Sequence, residues 1–363
     1  MLTWSACIAT LNRHDVLMLA LSQVVRQTRL PGQIVVVDAS DNWEEGKARA
    51  TDILAGQTGI ELIYVTSPVR SSATQRNLGI SMCTGDIVFL MDDDSFLHDT
   101  CAEELLRVYE ADTEAAVAGV GARLTDVNPV ADKVETSDGA TPGLQRKGTG
   151  RTASAGLSQR VMKTRLGRWI NREILFQNAE KLFMRYDEPR AREVPPSVAH
   201  LKVKATPFMP GSGMSFRRSI GDVEQFDTAL RYYAAFEDLD ICYRIARHGA
   251  LLRAGDAQLH HYEAAPGRIK RKKVIVFQLL NMAVFLKRHA EKPDRFRAAY
   301  RVMLARRLLS EFLKDSLSRR WEFPQVAGVV LAMRHWREIW SRSEEEIDSW
   351  YPDFQKRILE DIQ

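Results

Sequence analysis

The sequence predicts an α/β protein built on a doubly wound, mainly parallel β-sheet with a helical appendage at its C-terminus. In the first 120 residues, short apolar runs alternate with stretches of helical spacing. Runs such as IVVVD and DIVFLMD are almost continuously apolar, which is typical of strands buried on both faces of a parallel sheet. After Arg268 the apolar spacing is helical to the end of the chain. These observations favour an open sheet whose ligands bind at the carboxyl ends of its strands.

The N-terminal elements follow one another as strand and helix. Strands are predicted over residues 4–10, 33–38, 61–65, 86–91 and 115–122. Helices are predicted between them, over residues 15–27, 44–54, 71–82 and 100–111. Alternation of this kind indicates parallel strands covered by helices.

The middle of the chain interrupts this alternation. Residues 125–160 are rich in Gly, Ser, Thr and basic side chains and have no apolar period, which predicts a mobile insertion. A helix near residues 161–185 follows, and then strands over 206–218 and 250–261 flank a helix over 237–247. We therefore expect one domain over residues 1–265 and a basic helical region over 266–363.

Charge is distributed unevenly along the chain of 363 residues, whose formal net charge is only +4. From Arg268 to Arg320 there are 16 Lys and Arg but four Asp and Glu. The cluster at 268–273 directly precedes an apolar run, an arrangement that favours anionic lipid headgroups, although a solvated cluster before a core helix explains it too. We expect residues 268–320 to dock on an anionic membrane surface or on a partner subunit. Four tryptophans are expected to anchor the helical packing: Trp321, Trp336, Trp340 and Trp350.

The composition also bears on the compartment. None of the four cysteines forms a CxxC pair, and the N-terminus has no charged segment followed by an apolar one as a signal peptide would. The longest apolar run, at 274–286, is too short to span a bilayer. We expect a cytoplasmic protein, with a peripheral position on the inner face of the membrane as a further expectation.

Three consecutive carboxylates, Asp92, Asp93 and Asp94, end the apolar strand that begins near Ile87. Adjacent like charges repel, so such a cluster is costly unless a cation binds there. Alternate residues of an extended segment share a face, which predicts that Asp92 and Asp94 act together while Asp93 points elsewhere. A divalent cation such as Mg²⁺ prefers oxygen ligands of this kind. The alternative is a solvated acidic turn.

A second acidic site, Glu237 and Asp238, opens a predicted amphipathic helix. Carboxylates in a first turn complement the helix dipole, which is one explanation for their presence. The other is a general base presented at the start of a helix.

Six motifs in this order resemble those of the family 2 inverting glycosyltransferases, which have a GT-A fold. The resemblance covers about residues 1–265 and departs from the family at Gln75, where Ala is common, and in the long 124–205 insertion. Its motifs are Thr10-Leu-Asn12-Arg13, Val37-Asp38-Ala-Ser40, Gln75-Arg76-Asn77-Leu-Gly79, Asp92-Asp93-Asp94, the segment from Gly211 to Arg217, and Glu237-Asp238-Leu-Asp240.

The resemblance implies a role for each motif. Asp238 would be the catalytic base, with Glu237 positioning the acceptor. Asp94 would be the direct metal ligand, assisted by Asp92, and either His260 or His261 would be a further ligand of the metal or the diphosphate. The nucleotide-sugar, which in this family is often uridine-based, would be bound by Thr10, Asn12, Arg13, Asp38, Arg76, Asn77, Asp92, Asp93, Gly211, Ser212 and Gly213.

Together these expectations describe an enzyme that uses Mn²⁺ or Mg²⁺ to move a sugar from a nucleotide-sugar donor to a glycan or lipid-linked acceptor. Two rivals remain at this point. An aspartate-nucleophile phosphohydrolase also has an apolar strand ending in Asp-x-Asp, but Ser95-Phe96 and the late position of the motif are atypical of it. A non-catalytic protein that binds glycans or nucleic acid through its basic region is the other; aromatic residues are not interleaved with the basic cluster, which disfavours nucleic acid.

Overall fold

The computed structural model describes residues 1–130, 164–165, 169, 192–232, 235–262, 271–290 and 292–362. The chain divides into two compact units. The first comprises Met1–Lys147, Pro189–Thr228 and Glu237–Gly267, and the second Gly148–Glu188, Ala229–Phe236 and Arg268–Gln363. The insertion predicted at 125–160 lies outside the described residues beyond position 130, as does most of the helix predicted at 161–185. The single boundary near residue 265 stays a prediction.

The first unit is a β-sheet with helices packed on it. Its strands are β1 (Trp4–Thr10), β2 (Gln33–Asp38), β3 (Glu61–Thr66), β4 (Ile87–Asp92), β5 (Ser95–Leu97), β6 (Val117–Leu124), β7 (Val203–Ala205), β8 (Gly213–Arg217) and β9 (Ala250–His261). Its helices are α1 (His14–Val24), α2 (Trp43–Leu54), α3 (Ser72–Met82), α4 (Cys101–Ala111), the short α5 (Arg218–Gly221) and α6 (Glu237–Ile245), with one 3₁₀ turn at Pro196–Val198.

The strands lie in the order β3-β2-β1-β4-β8-β6-β9-β5, and β7 pairs with β9. The first four are mutually parallel, and β6 and β9 are parallel to each other. β8 is antiparallel to both β4 and β6, so the four parallel strands share one direction with β6 and β9. The strands β5, β7 and β8 run in the opposite direction. The predicted doubly wound, mainly parallel α/β fold is therefore confirmed.

Burial on both faces explains why the central strands contain few polar residues. All six residues of β2 are buried, as are the first five of β4. Helix α3 approaches the sheet closely at Gly79, where an added Cβ would lie 2.4 Å from the Sγ of Cys7. A glycine at this position lets the helix backbone pack directly against the strands.

The predicted strand over 206–218 is wrong in length. β-structure is confined to β7 and β8, and the Gly- and Pro-containing residues between them form a turn. The short β5, which pairs with the end of β9, was not predicted because three residues carry too little pattern.

The residues of the second unit that the structure describes include four long helices, α7 (Arg271–His289), α8 (Pro293–Leu317), α9 (Pro324–Trp340) and α10 (Glu344–Glu360). Proline stands in the first turn of α8 and α9, where its missing N–H costs nothing. A capping box begins α10, in which Ser343 and Glu346 bond each other's backbone N–H groups. No helix among these described residues is both long and apolar enough to cross a membrane.

Aromatic side chains form much of the core of this unit. Tyr300 is fully buried, and its ring centre lies 5.6 Å from that of Trp336 and 5.1 Å from that of Trp340. Trp350 is partly buried and stacks on Phe354. The expectation that Trp321 anchors the core is wrong, because this side chain is 69% exposed.

Candidate active site

Four strands of the first unit bring polar side chains to one edge of the sheet. β1 and β4 end there in parallel, with Ala9 opposite Asp92. β8 begins beside the end of β4, and β9 ends at His261, opposite Ser95. Because the carboxyl ends of parallel strands share an edge, motifs that are far apart in sequence meet here.

Asp92, Asp94 and His261 form a group that suits a metal ion. One ligand atom from each lies within 4.8 Å of the other two. The Nε2 of His261 is 3.1 Å from the Oδ1 of Asp94 and 3.6 Å from the Oδ2 of Asp92. Two carboxylate oxygens and an imidazole nitrogen are ligands that Mn²⁺ and Mg²⁺ accept.

Of the two candidate histidines, the structure joins His261 and not His260 to the carboxylates. His260 is buried, bonds the backbone oxygen of Thr125 through its Nδ1 at 2.9 Å, and stacks on Phe96. Neighbouring residues of a strand point to opposite faces, so only one of them can reach the edge where Asp94 lies.

Asp93 points inward, as alternation along the chain predicts. It is fully buried, accepts a hydrogen bond from the Oγ1 of Thr10 at 2.7 Å, and forms a salt bridge with Arg13. Burial raises the pKa of Asp93 to about 7, although Arg13 acts in the opposite direction. Arg13 also donates to Asp94 at 3.2 Å, so it holds two of the three consecutive carboxylates in place.

The carboxylate of Asp38 accepts hydrogen bonds from three neighbouring residues of the protein. It is fully buried and accepts hydrogen bonds from Ser40, from the hydroxyl of Tyr64 at 2.6 Å, and from His14 at 2.7 Å. Burial opposes ionisation here, but the hydrogen bonds of Ser40 and Tyr64 keep the pKa of Asp38 below its ordinary value. Its carboxylate fixes the end of β2.

Asn12 is exposed and adopts a left-handed backbone conformation with φ 54°, while its N–H donates to the Oγ of Ser40 at 2.7 Å. A cavity of about 260 Å³ opens beside it. The cavity is lined by Asn12, Arg13, His14, Asp15, Val16, Asn42, Glu45 and Arg49. The loop after β1 therefore borders space that is large enough for part of a ligand.

Arg76, from α3, connects the two acidic sites. Its Nη2 donates to Asp92 at 2.7 Å and its Nη1 to Glu237 at 2.5 Å, and its guanidinium lies over the ring of Phe226. Burial acts against the charge, but Glu237 and Asp92 raise the pKa of Arg76. A buried guanidinium bound on both sides holds the end of β4 and the start of α6 at a set distance.

Asn77, the next residue, has a structural role in this arrangement. Its side-chain amide donates to the backbone oxygen of Phe226 at 2.9 Å and accepts from the N–H of the same residue at 2.8 Å. This pair fixes the backbone of Phe226 beneath Arg76.

Glu237 and Asp238 lie in the first turn of α6. Glu237 accepts a hydrogen bond from the Oγ of Ser72 at 2.7 Å, and burial raises its pKa to about 7 against the effect of Arg76. Burial also raises the pKa of Asp238, while backbone N–H groups of Gly211 and Leu239 act in the opposite direction. Both carboxyl groups therefore have pKa values above the ordinary ones, as groups that transfer protons often do.

The small residues before β8 make room for protein side chains. A Cβ on Gly211 would lie 2.9 Å from the Nη2 of Arg76, and one on Gly213 would lie 2.2 Å from Leu259. Between them Ser212 is buried, and its backbone oxygen accepts a hydrogen bond from the Oγ of Ser95 at 2.7 Å. Gly211 thus leaves room for the guanidinium of Arg76, and Gly213 leaves room for Leu259.

Sequence reasoning missed several residues that support the site. Ser72, Tyr64 and Ser95 are single polar residues whose partners lie far away in sequence, so no local spacing marks them. His14 follows the Thr10–Arg13 motif directly, which was the only available signal for its contact with Asp38.

Comparison with known proteins agrees with the fold and with the motifs. Residues 5–175 match the family model described as glycosyl transferase family 2. A mannosyltransferase from Pyrobaculum calidifontis, solved in complex with GDP-Man and Mn²⁺, is 14% identical, with a TM-score of 0.51 over 92% of this chain and 86% of that one. GalNAc-T7, solved with UDP, GalNAc and Mn²⁺, is 15% identical, with a TM-score of 0.49 over 79% of this chain and 48% of that one.

The TarS 1–349 structure from S. aureus is 11% identical, with a TM-score of 0.45 over 93% of this chain and 91% of that one. No curated protein sequence matches this chain. The family match over residues 5–175 covers the first four of the six motifs and agrees with the resemblance there. The likeness to the Pyrobaculum structure is one of fold.

Proposed function

We propose that the protein is a metal-dependent, inverting glycosyltransferase, because residues 5–175 match the family model described as glycosyl transferase family 2. It moves a sugar, which we take to be a hexosyl group, from a nucleoside-diphosphate sugar to a hydroxyl group of a glycan or lipid-linked acceptor. One observation carries the proposal: Arg76 bonds both Asp92 of the metal-ligand group and Glu237, which is adjacent to Asp238. A candidate metal site and a candidate base are thereby neighbours, as transfer from a diphosphate donor requires.

The residues that would hold the metal are Asp94, Asp92 and His261, because their ligand atoms are close enough together for one ion. A bound Mn²⁺ or Mg²⁺ acts as a Lewis acid that stabilises the negative charge of the departing nucleoside diphosphate. Arg13 keeps Asp94 oriented through its hydrogen bond, and Asp93 keeps Arg13 in place.

Asp238 is the proposed base. Its carboxylate accepts the proton of the acceptor hydroxyl, whose oxygen attacks the anomeric carbon from the face opposite the diphosphate. The bond from the anomeric carbon to the diphosphate oxygen breaks as the new bond forms, through an oxocarbenium-like transition state. A single displacement of this kind inverts the configuration at that carbon.

Glu237 is a positioning residue in this scheme. Ser72 and Arg76 hold its two oxygens, so it stays fixed in place to orient the acceptor hydroxyl. Arg76 bonds both Glu237, which is adjacent to the proposed base, and Asp92 of the metal-ligand group. It thereby keeps these two parts of the site at a constant separation, and preorganisation of this kind accelerates transfer.

A screen of donors tests the proposal. Nucleotide-sugars of uridine and of guanosine are incubated with Mn²⁺, the latter because the Pyrobaculum mannosyltransferase was solved with GDP-Man and Mn²⁺. We expect release of nucleoside diphosphate from one donor, loss of release with a chelator, and recovery when Mn²⁺ or Mg²⁺ is added. Release that is indifferent to chelation would contradict the metal assignment. Phosphate release from simple phosphate esters with no turnover of any donor would support the phosphohydrolase instead.

The rate of transfer should rise with pH up to about neutrality. Asp238 accepts a proton only when ionised, and burial raises its pKa above the ordinary value. Burial also raises the pKa of Glu237 to about 7, so a fall in pH through this range weakens its pair with Arg76. The pKa that limits kcat/KM at low pH should therefore be higher than that of an ordinary carboxyl group. In E237Q the contribution of Glu237 to this pH dependence should be lost. A rate that stays constant down to the usual carboxyl range would contradict this assignment.

The same pKa shift acts on stability with the opposite sign. The pKa of Glu237 is raised to about 7 in the folded protein, whereas the unfolded chain releases this proton near the ordinary pKa of 4.5. Between these values the folded state binds more protons, so this contribution to the free energy of unfolding decreases as pH rises.

A further inference from the structure

Helix α8 of the second unit presents large apolar side chains to solvent. Val302 is 53% exposed, Leu309 53% and Phe312 49%. Because these positions are seven and three residues apart, they lie along one side of the helix. Leu317 and Trp321, at the end of the helix and in the turn after it, are 71% and 69% exposed and extend this stripe. We call these five residues the α8 stripe.

The charges around the α8 stripe are mostly positive. Five arginines of this segment are exposed: Arg295, Arg297, Arg301, Arg306 and Arg319. Two of its carboxylates, Glu311 and Asp315, are fully buried. Among residues 292–322, the exposed acidic side chains are Asp294 and Glu322. The exposed surface of this segment therefore carries a larger excess of positive charge than the composition of the segment suggests.

Burial of those two carboxylates follows from their contacts. Glu311 forms salt bridges with Arg307 at 2.6 Å and with Lys314 at 2.9 Å. Asp315 accepts hydrogen bonds from the backbone N–H and the side chain of Gln325, each at 2.9 Å, and so caps the start of α9. Because both carboxylates are buried, neither adds a negative charge to the exposed surface of α8.

The turn between α8 and α9 holds Trp321 at the surface. Its ring lies edge-on to Phe323 with centres 6.2 Å apart, and Phe323 stacks on Phe312 at 5.4 Å. Arg319 and Phe323 adopt left-handed backbone conformations with φ 52° and 47°. Such conformations are unfavourable for residues other than glycine, and where they persist they often serve a functional geometry. In the turn that contains them, Trp321 is exposed at the end of the α8 stripe and is not part of the core.

We propose that the α8 stripe and its flanking arginines form a docking surface for a membrane that carries anionic lipids. An apolar side lined by arginine, with tryptophan at its end, is the pattern of a helix that lies in the bilayer interface. Positive charges bind anionic headgroups, apolar side chains enter the boundary of the acyl chains, and tryptophan favours the headgroup level. The positive charge of this surface complements an anionic membrane better than it complements a protein surface with few acidic residues. The proposal goes beyond sugar transfer and does not depend on it.

Flotation of the full chain with vesicles tests this surface. Vesicles of phosphatidylcholine alone are compared with vesicles of equal parts phosphatidylcholine and phosphatidylglycerol, at low and high salt. We expect binding to the anionic vesicles that weakens with salt. R301Q combined with R306Q should lower the partition coefficient by about 25-fold, since each basic residue at an anionic surface contributes about fivefold. L309S combined with W321S should lower it by at least about tenfold.

Two matched variants replace the same kinds of side chain elsewhere. V223S removes an apolar residue that is 66% exposed in the first unit, and R107Q removes an exposed arginine of α4. Neither should change vesicle binding, and thermal unfolding should show that all variants are folded. A second readout is quenching of tryptophan fluorescence by brominated lipid, part of which should be lost in W321F.

Three results would overturn the proposal. Equal recovery with neutral and anionic vesicles would remove the electrostatic argument. Unchanged binding of the L309S/W321S variant would place the membrane contact elsewhere. Absence of flotation, together with self-association or RNA binding that the same variant abolishes, would assign the α8 stripe to another partner.

Discussion

Replacing Asp238 by asparagine is expected to lower the rate of sugar transfer by about 10²–10⁴-fold, the usual contribution of a general base. The amide cannot accept the proton of the acceptor hydroxyl, but it has nearly the same size and can still accept the N–H groups of Gly211 and Leu239. Donor affinity should therefore be unchanged. The measurement is steady-state transfer alongside direct titration of the donor.

D222N provides the control for this change. Asp222 is about half exposed and pairs with Arg218 on the surface of the same unit, so its loss should alter neither rate nor binding. If D238N turned over at the normal rate, the base would have to be another group, and Glu237 would be the first to examine. If D238N lost donor affinity as well, the variant would report a disrupted site and not a missing base.

Replacing Asp94 by alanine is expected to abolish the metal-dependent part of donor binding. Asp94 is nearly fully buried, lies 3.1 Å from His261 and accepts from Arg13. Loss of a residue that supports a metal ligand typically costs about 10–100-fold in metal affinity. Loss of a ligand should cost more. Titration of Mn²⁺, with and without donor, measures the effect.

The comparison variant is D99A, which removes a carboxylate that is 56% exposed and pairs loosely with Arg26 at 3.8 Å. It should bind Mn²⁺ and donor normally. H261A should weaken Mn²⁺ binding in the same direction as D94A, whereas H260A should not, since His260 bonds Thr125. Equal Mn²⁺ affinity in D94A and the unaltered protein would show that the ion is held elsewhere.

The contacts of Arg76 explain why these two variants should be separable. Asp94 accepts a hydrogen bond from Arg13, which follows β1, while Asp238 is adjacent in sequence to Glu237, the partner of Arg76. Removing either carboxylate leaves the guanidinium bridge from Asp92 to Glu237 in place. Each variant therefore alters one half of the site, and the binding and transfer measurements can be attributed to separate groups.

The sequence by itself determined the central parallel strands of the sheet and the acidic groups that follow them. Near-continuous apolar runs identify β1, β2 and β4, because burial on both faces leaves no polar positions within a strand. The carboxylates that follow β4 and begin α6 stand out against those runs. Family motifs, read in order, added the expectation of a GT-A fold. All of these signals are local in the chain, which is why one sequence is sufficient to read them.

Only the tertiary structure decided which of these residues meet. The choice of His261 over His260 depends on the register of β9 with β5, and the bridge from Asp92 to Glu237 depends on how α3 packs beside α6. Trp321 is exposed in a turn that contains two left-handed residues, whereas the sequence predicted a core anchor. Contacts between distant segments are set by packing and long-range pairing, and these leave no spacing in the sequence from which they could be read.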